Sequence, residues 1–207
     1  RVLPLIDWLE ATAKTLDRRI MVRLVKGAYW DAEIKRAQVL GLETYPVFTR
    51  KAATDVSYIA AARRLFASPH IYPQFATHNA HTVAAILSMA KDRDCFEFQR
   101  LHGMGEALHE TVRKAEGTRC RIYAPVGAHS DLLAYLVRRL LENGANSSFV
   151  HQLTDDNVPP EEIARDPLSV VETQGPAANP KIPAPSAIFG SSRSNSRGFD
   201  ITDPVTL

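Results

Sequence analysis

Four short runs that read as strands, each followed by a stretch with helical spacing, constrain this chain more than any other feature. The runs Ile20 to Val25, Ile71 to Ala76, Cys95 to Leu101 and Arg119 to Ala124 have strand length. Helical periodicity covers 3–16 ahead of the first run, through Leu5, Ile6, Leu9, Ala13 and Leu16. It returns over 31–40, 52–66, 82–91, 106–114 and 130–143, the last closed by Gly144. Strands that alternate with helices pair in parallel through right-handed crossovers, so the predicted class is α/β, open and doubly wound or closed as a barrel. No Gly-x-Gly-x-x-Gly follows any strand, which counts against a dinucleotide-binding Rossmann unit. Polar or glycine-containing clusters close each strand instead: Lys26-Gly-Ala-Tyr-Trp, Thr77-His-Asn-Ala-His, His102-Gly-Met-Gly-Glu and Pro125-Val-Gly-Ala-His. Functional groups at the carboxyl ends of several strands are the habit of the (βα)8 barrel, which has eight strands where four are legible here.

Charge and cysteine usage narrow the function. With 25 Lys+Arg against 23 Asp+Glu the net charge is +2, and the basic residues form no stripe interleaved with aromatics, so no nucleic acid partner is expected. No run approaches 18 apolar residues and no signal peptide opens the chain, which reads as cytoplasmic. Cys95 and Cys120 make no Cys-x-x-Cys pair and are expected to be buried thiols. After Asp166 the texture changes: 6 of the 13 prolines fall between Pro167 and Leu207. This predicts a domain over 1–165 followed by a Pro-rich extended linker over 166–207 with little core of its own.

Three clusters could carry chemistry. On the helix 130–143, Tyr135, Arg138, Arg139 and Glu142 fall at i, i+3, i+4 and i+7 and share one face. Such a face is either a solvated polar stripe or a clamp in which two guanidiniums hold a small carboxylate. Thr77-His78-Asn79-Ala80-His81, with Glu106 and His109, could suggest a metal-dependent barrel hydrolase, but the spacing is not His-Glu-x-x-His and no metal site is assigned. Capping by Thr77 or Asn79, or hydrogen bonds to a ligand, suits that run better. In Arg23-Leu-Val-Lys-Gly-Ala-Tyr-Trp, alternation puts Arg23 and Val25 on one side of the strand and Leu24 and Lys26 on the other. A charge such as Arg23 on an inner strand face calls for an anionic or electron-rich ligand, or for a salt bridge. Thr49-Arg50-Lys51 adds a hydroxyl and positive charge able to hold phosphates.

Five motifs in order strongly resemble the proline dehydrogenase family, most closely its bacterial bifunctional proline utilization A branch. They are Arg23-Leu-Val-Lys-Gly-Ala-Tyr-Trp, Tyr72-Pro-Gln-Phe-Ala-Thr-His-Asn, Phe96-Glu-Phe-Gln-Arg-Leu-His-Gly-Met-Gly, Arg121-Ile-Tyr-Ala-Pro-Val-Gly and Leu133-Ala-Tyr-Leu-Val-Arg-Arg-Leu-Leu-Glu-Asn. The resemblance implies FAD-dependent oxidation of L-proline to 1-pyrroline-5-carboxylate on a (βα)8 TIM-like barrel, with electrons passed to a quinone. This chain would be the carboxyl-terminal half, strands five to eight. Carried over motif by motif, Arg138 and Arg139 bind the proline carboxylate, Tyr123 and Tyr135 line the substrate pocket with Tyr29 near it, and Arg23 lies by the flavin N5. Val25, Gly27, Ala28, Trp30, Thr49, Lys51, Thr77, His78, Asn79, Gln99, Leu101, Glu142 and Phe149 would line the FAD.

The family's first four strands, with a lysine and an aspartate of its active site, would lie upstream of Arg1. The tail, through Phe189-Gly-Ser-Ser-Arg and Phe199-Asp-Ile-Thr-Asp, resembles the connector to an aldehyde dehydrogenase module. Half a barrel would expose two sheet edges and an apolar inner face, so homo-oligomers are expected. A non-catalytic fragment that folds by self-association is the alternative from another class. The parent protein's quinone chemistry implies peripheral contact with the inner membrane.

Overall fold

The computed structural model describes residues 2–27, 29–144, 157–175 and 178–197. By internal packing they divide into two compact units, one formed by 1–26 and 55–165, the other by 27–54 and 166–207.

In the first unit α1 (Val2–Thr15) leads into β1 (Ile20–Leu24), and β2 (Ile71–Ala76), β3 (Glu97–Leu101) and β4 (Cys120–Tyr123) follow in chain order. All pairings are parallel and the sheet order is β1-β2-β3-β4, so each strand lies beside its sequence neighbour. The crossovers carry α3 (Lys51–Phe66), α4 (Ala80–Met89) and α5 (Glu106–Glu116), and α6 (His129–Gly144) follows β4. The predicted elements are all present, and the parallel α/β class is what the structure shows. Asn79 caps α4 by accepting from Thr82 N at 2.9 Å, while Gly117 closes α5 in the left-handed conformation, φ 65°.

One face of the sheet packs against the helices through an aromatic cluster. Phe66 of α3 stands 5.1 Å from Phe75 of β2 and 5.5 Å from Phe96, which stands 5.3 Å from Phe98 of β3 (ring centroids). Tyr58, Leu65, Val83 and Ile86 from α3 and α4 complete this core with Ile6 of α1. Tilted and edge-on ring pairs of this kind contribute beyond the area they bury.

The opposite face is polar, against the expectation of an apolar inner face. Arg23, Gln74, Glu97, Gln99, Arg121 and Tyr123 occupy alternate positions of the four strands, in register across the sheet. The Arg23 guanidinium on edge strand β1 lies 4.5 Å from the ring centroid of Tyr123 on the far strand β4. Side chains from the two outer strands meet over the middle two, so this face is concave. Cys95 and Cys120 are half-buried free thiols rather than buried ones, and burial pushes both above the usual thiol range.

The second unit contains α2 (Trp30–Val39), the loop after it, the first turn of α3, a short helix at Pro167–Thr173 and a 3-10 turn at Pro185–Ala187. The Pro-rich stretch does not run free. The Tyr45 hydroxyl donates to Pro183 O at 2.8 Å, and the Asn195 amide donates to Gln38 O at 2.7 Å and Pro185 O at 3.0 Å. The bonds from Tyr45 to Pro183 and from Asn195 to Gln38 join 27–54 to 166–197, which is why the two stretches form one unit although more than 100 residues separate them.

Phe96 is fully buried at the centre of the aromatic cluster. Phe96→Ala is expected to lower unfolding stability by about 3–5 kcal/mol, read as a lower urea midpoint at unchanged slope.

Candidate active site

The carboxyl ends of the strands bring the candidate residues of the first unit together. Just past β1, Lys26 turns to the helical side, as alternation requires. Its ammonium donates to Asp55 Oδ1 at 2.5 Å and Thr82 Oγ1 at 2.8 Å and sits 5.5 Å from the Tyr58 ring centroid. Lys26 thereby fastens the end of β1 to α3 and α4, and Tyr58, its phenol pushed up by burial, donates to Leu24 O beside it. Val25, next to it, is exposed.

Past β2, Thr77 Oγ1 accepts from Asn79 N at 3.1 Å and Asn79 caps α4, so both residues shape the turn that presents His78. His78 Nε2 accepts the Leu101 backbone N–H at 3.2 Å. A ring nitrogen that accepts carries no proton, so the neutral ring keeps its proton on Nδ1. Burial, and then the charges of His109, Arg139 and Arg100, push His78 down to about 4. His109 Nε2 donates to Thr77 O at 2.9 Å, leaving its buried Nδ1 as an acceptor without a hydrogen-bond partner among the described residues. Gly105 makes room for this pair. Its φ of +65° disfavours any side chain, and a Cβ there would stand 2.9 Å from His78 Cδ2. Among the described residues no three His, Cys, Asp or Glu side chains group as metal ligands would.

On the concave face Glu97 is the hub, and sequence reasoning passed over it. Its Oε1 accepts from Arg121 Nε at 2.6 Å, Gln74 Nε2 at 2.7 Å and Gln99 Nε2 at 3.0 Å, and its Oε2 accepts a second Arg121 bond at 2.9 Å. An ionised carboxylate only accepts, so the Gln99 amide must present its NH2 to Glu97 and its carbonyl oxygen elsewhere. Glu97 is the signal that could have been found: a carboxylate two residues before Gln99 in a strand shares its face. The bonded Arg121 guanidinium holds the Glu97 carboxyl below the usual carboxylate range, outweighing the burial that raises it.

Past β4, α6 carries Tyr135, Arg138 and Arg139 on one face as the spacing predicts, and the Arg139 guanidinium lies 5.0 Å from the Tyr135 ring centroid. Arg139 also lies close enough to the strand ends for its charge to act on His78. Leu133, Leu136, Val137 and Leu141 of the same helix are exposed. The Glu142 side chain, Ala28 and Phe149 lie outside the described residues.

The other candidates belong to the second unit. Gly27 takes φ +82° and Tyr29 precedes α2. Trp30 opens α2 and its indole Nε1 donates to Phe48 O at 2.8 Å. Thr49 Oγ1 accepts from Asn179 N at 2.9 Å, and Lys51 is the first residue of α3.

A four-stranded parallel sheet whose strand ends gather the polar groups, beside a helix bearing two adjacent arginines, defines an α/β domain of the strand–helix repeating class. The chain belongs to the proline dehydrogenase family: the family model described as proline dehydrogenase matches residues 1–152. It is 56% identical to the bifunctional protein PutA of Klebsiella aerogenes over 98% of this chain, and 54% identical to that of Rhizobium meliloti. The crystal structure of a Bradyrhizobium japonicum proline utilization A variant superposes with a TM-score of 0.90 at 58% identity, over 95% of this chain and 20% of that one. The chain spans about 16% of the length of the Klebsiella relative.

Two pH experiments follow from these networks. The Glu97 carboxyl titrates lower folded than its unfolded value of about 4.3, so its stabilisation is complete above that value and is lost as pH falls through the folded one. Glu97→Gln is expected to flatten the acid limb of the urea midpoint against pH and to cost about 2 kcal/mol at pH 7. Nitrogen-15 imidazole spectra are expected to show His78 neutral, with the proton on Nδ1, through pH 5 and a midpoint near 4.

Proposed function

We propose that this chain supplies the carboxyl-terminal half, strands five to eight, of a (βα)8 barrel that oxidises L-proline to 1-pyrroline-5-carboxylate with FAD. The single observation that carries this reading is the pair of guanidiniums held over tyrosine rings in the first unit, Arg23 over Tyr123 and Arg139 over Tyr135. Family membership supplies the reaction class.

The polar groups present fit a flavin in their chemistry. Gln99 is oriented as an acceptor by Glu97, His78 is a neutral Nδ1 donor, and Arg23 brings positive charge. In the second unit, Thr49 keeps a hydroxyl proton to donate while its oxygen accepts from Asn179. In the first unit Gln99, His78 and Arg23 would hold the ring system; taken by itself, the second unit offers the Thr49 hydroxyl and the Lys51 ammonium, groups of the kind that hold ribityl and phosphate oxygens. FAD when bound supplies the acceptor for the two electrons that leave proline.

The remaining work falls to side chains of this chain. Arg138 and Arg139 bind the proline α-carboxylate, and Tyr123 and Tyr135 wall the ring, so that C5 is held in one orientation. Fixing the substrate in this way is worth several kcal/mol, about what separates a productive from an unproductive encounter. Arg23, stacked on Tyr123, keeps a cation where negative charge develops. His78, neutral down to about pH 4, donates without adding a charge of its own.

Electrons would then pass to a quinone, with the protein cytoplasmic and in peripheral contact with the inner membrane. No helix among the described residues is long and apolar enough to cross a membrane. Among the described residues β1 and β4 each pair on one side only, which supports completion by further strands or by homo-oligomers.

Absorption spectra test the proposal: FAD is added to the purified chain, then L-proline without oxygen. A bound-flavin spectrum that bleaches is expected. If neither this chain nor a longer one carrying upstream strands retains flavin or bleaches with proline, the assignment fails. Arg139→Ala is expected to leave the flavin spectrum in place and to weaken proline binding about 100-fold.

A further inference from the structure

We infer that Asn179, beyond the 1–152 stretch matched by the family, is a positioning residue for Thr49, so that the Pro-rich segment is a working part of the cofactor site. The inference rests on the flavin reading above. All the residues it uses lie in the second unit. The Asn179 backbone N–H donates to Thr49 Oγ1 at 2.9 Å, and its side-chain Nδ2 donates to the Thr49 carbonyl at 3.4 Å.

The Asn179 amide is itself locked, because Oδ1 accepts the Lys181 backbone N–H at 3.0 Å. A flip would set its NH2 against that N–H and its oxygen against the Thr49 carbonyl, so only one orientation is tolerated. A hydroxyl has one donor and two acceptor sites. With an N–H on one lone pair, the Thr49 proton turns away from Asn179 and is offered to an acceptor oxygen, such as a ribityl or phosphate oxygen.

The same segment grips the next residue. Arg50 Nε donates to Ala178 O at 3.2 Å and Arg50 donates to Gln174 Oε1 at 3.3 Å. Two consecutive residues just ahead of α3 are therefore held by four hydrogen bonds, two donated by Asn179 and two that Arg50 donates to Ala178 and Gln174. They add to the Trp30 indole bond to Phe48 O in fixing the loop that carries the Thr49 hydroxyl.

The test is FAD affinity by quenching of flavin fluorescence, with hydrogen exchange over 46–54, in the full chain and the longer chain described above. Asn179→Ala keeps the backbone N–H on Thr49 Oγ1 but removes the side-chain bonds to the Thr49 carbonyl and from Lys181 N–H that hold that backbone in place, and is expected to raise the FAD Kd about tenfold and to speed exchange over 46–54. Gln174→Ala, which releases Arg50 alone at an exposed position, is expected to raise it about threefold. In a Thr49→Val background Asn179→Ala is expected to add less than about twofold, whereas a merely structural role would cost the same in both backgrounds. Flavin binding by the parent chain with unchanged Kd in Asn179→Ala, or equal cost in both backgrounds, overturns the inference and leaves the flavin reading standing. Absence of flavin binding by the unaltered chains overturns the flavin reading, and the inference falls with it.

Discussion

A parallel sheet must satisfy both of its faces, and in this chain the two faces do so by opposite means. On the helix side Phe75, Phe96 and Phe98 meet Phe66 and the aliphatic side chains of α3 and α4, and burial of apolar area drives the packing. On the concave side the same strands place Glu97 among Gln74, Gln99 and Arg121, where four hydrogen bonds, two of them from the Arg121 guanidinium, offset the burial of the carboxylate. β3 carries both solutions on alternate residues. The rest of the first unit depends on that strand: β2 and β4 take their register from it, and the Leu101 N–H at its end fixes the His78 ring past β2.

Hydrogen bonds from neighbours set the polarity of the candidate site. His78 is an Nδ1 donor because Leu101 N–H occupies Nε2. Gln99 turns its carbonyl oxygen away from Glu97 because the carboxylate accepts from its NH2. Each of these side chains could serve either role in isolation. A site assembled this way needs no reorientation of its own dipoles when a ligand arrives, which is the physical content of preorganisation.

The elements themselves were legible because hydrophobic spacing at periods of 2 and 3.6 survives local inspection. The Ile71 to Ala76 strand is found with both predicted ends, and the Tyr135, Arg138, Arg139 face of α6 follows from counting along a helix. Capping by Asn79 was legible for the same reason, since it involves residues three apart. Glu97 and Arg121 were harder. Their pairing crosses 24 residues, and nothing in the Phe-Glu-Phe-Gln pattern says whether the apolar or the polar alternates face the helices. The expected apolar inner face followed from treating all strand interiors alike. The Pro-rich stretch was misjudged as an extended linker because composition registers low apolar content, while the bonds that hold it, such as Asn195 to Gln38, are polar and distant in sequence.

The sequence by itself determined the α/β order, the parallel class and, through five motifs, the family, because these depend on local spacing and on residue identity. Which face of β3 carries the buried polar network, which tautomer His78 adopts, and that Asn179 reaches Thr49 across 130 residues were decided only by the tertiary structure. Contacts at that separation are chosen when packing brings distant backbone together, and the pattern of a single segment carries no record of its distant partner.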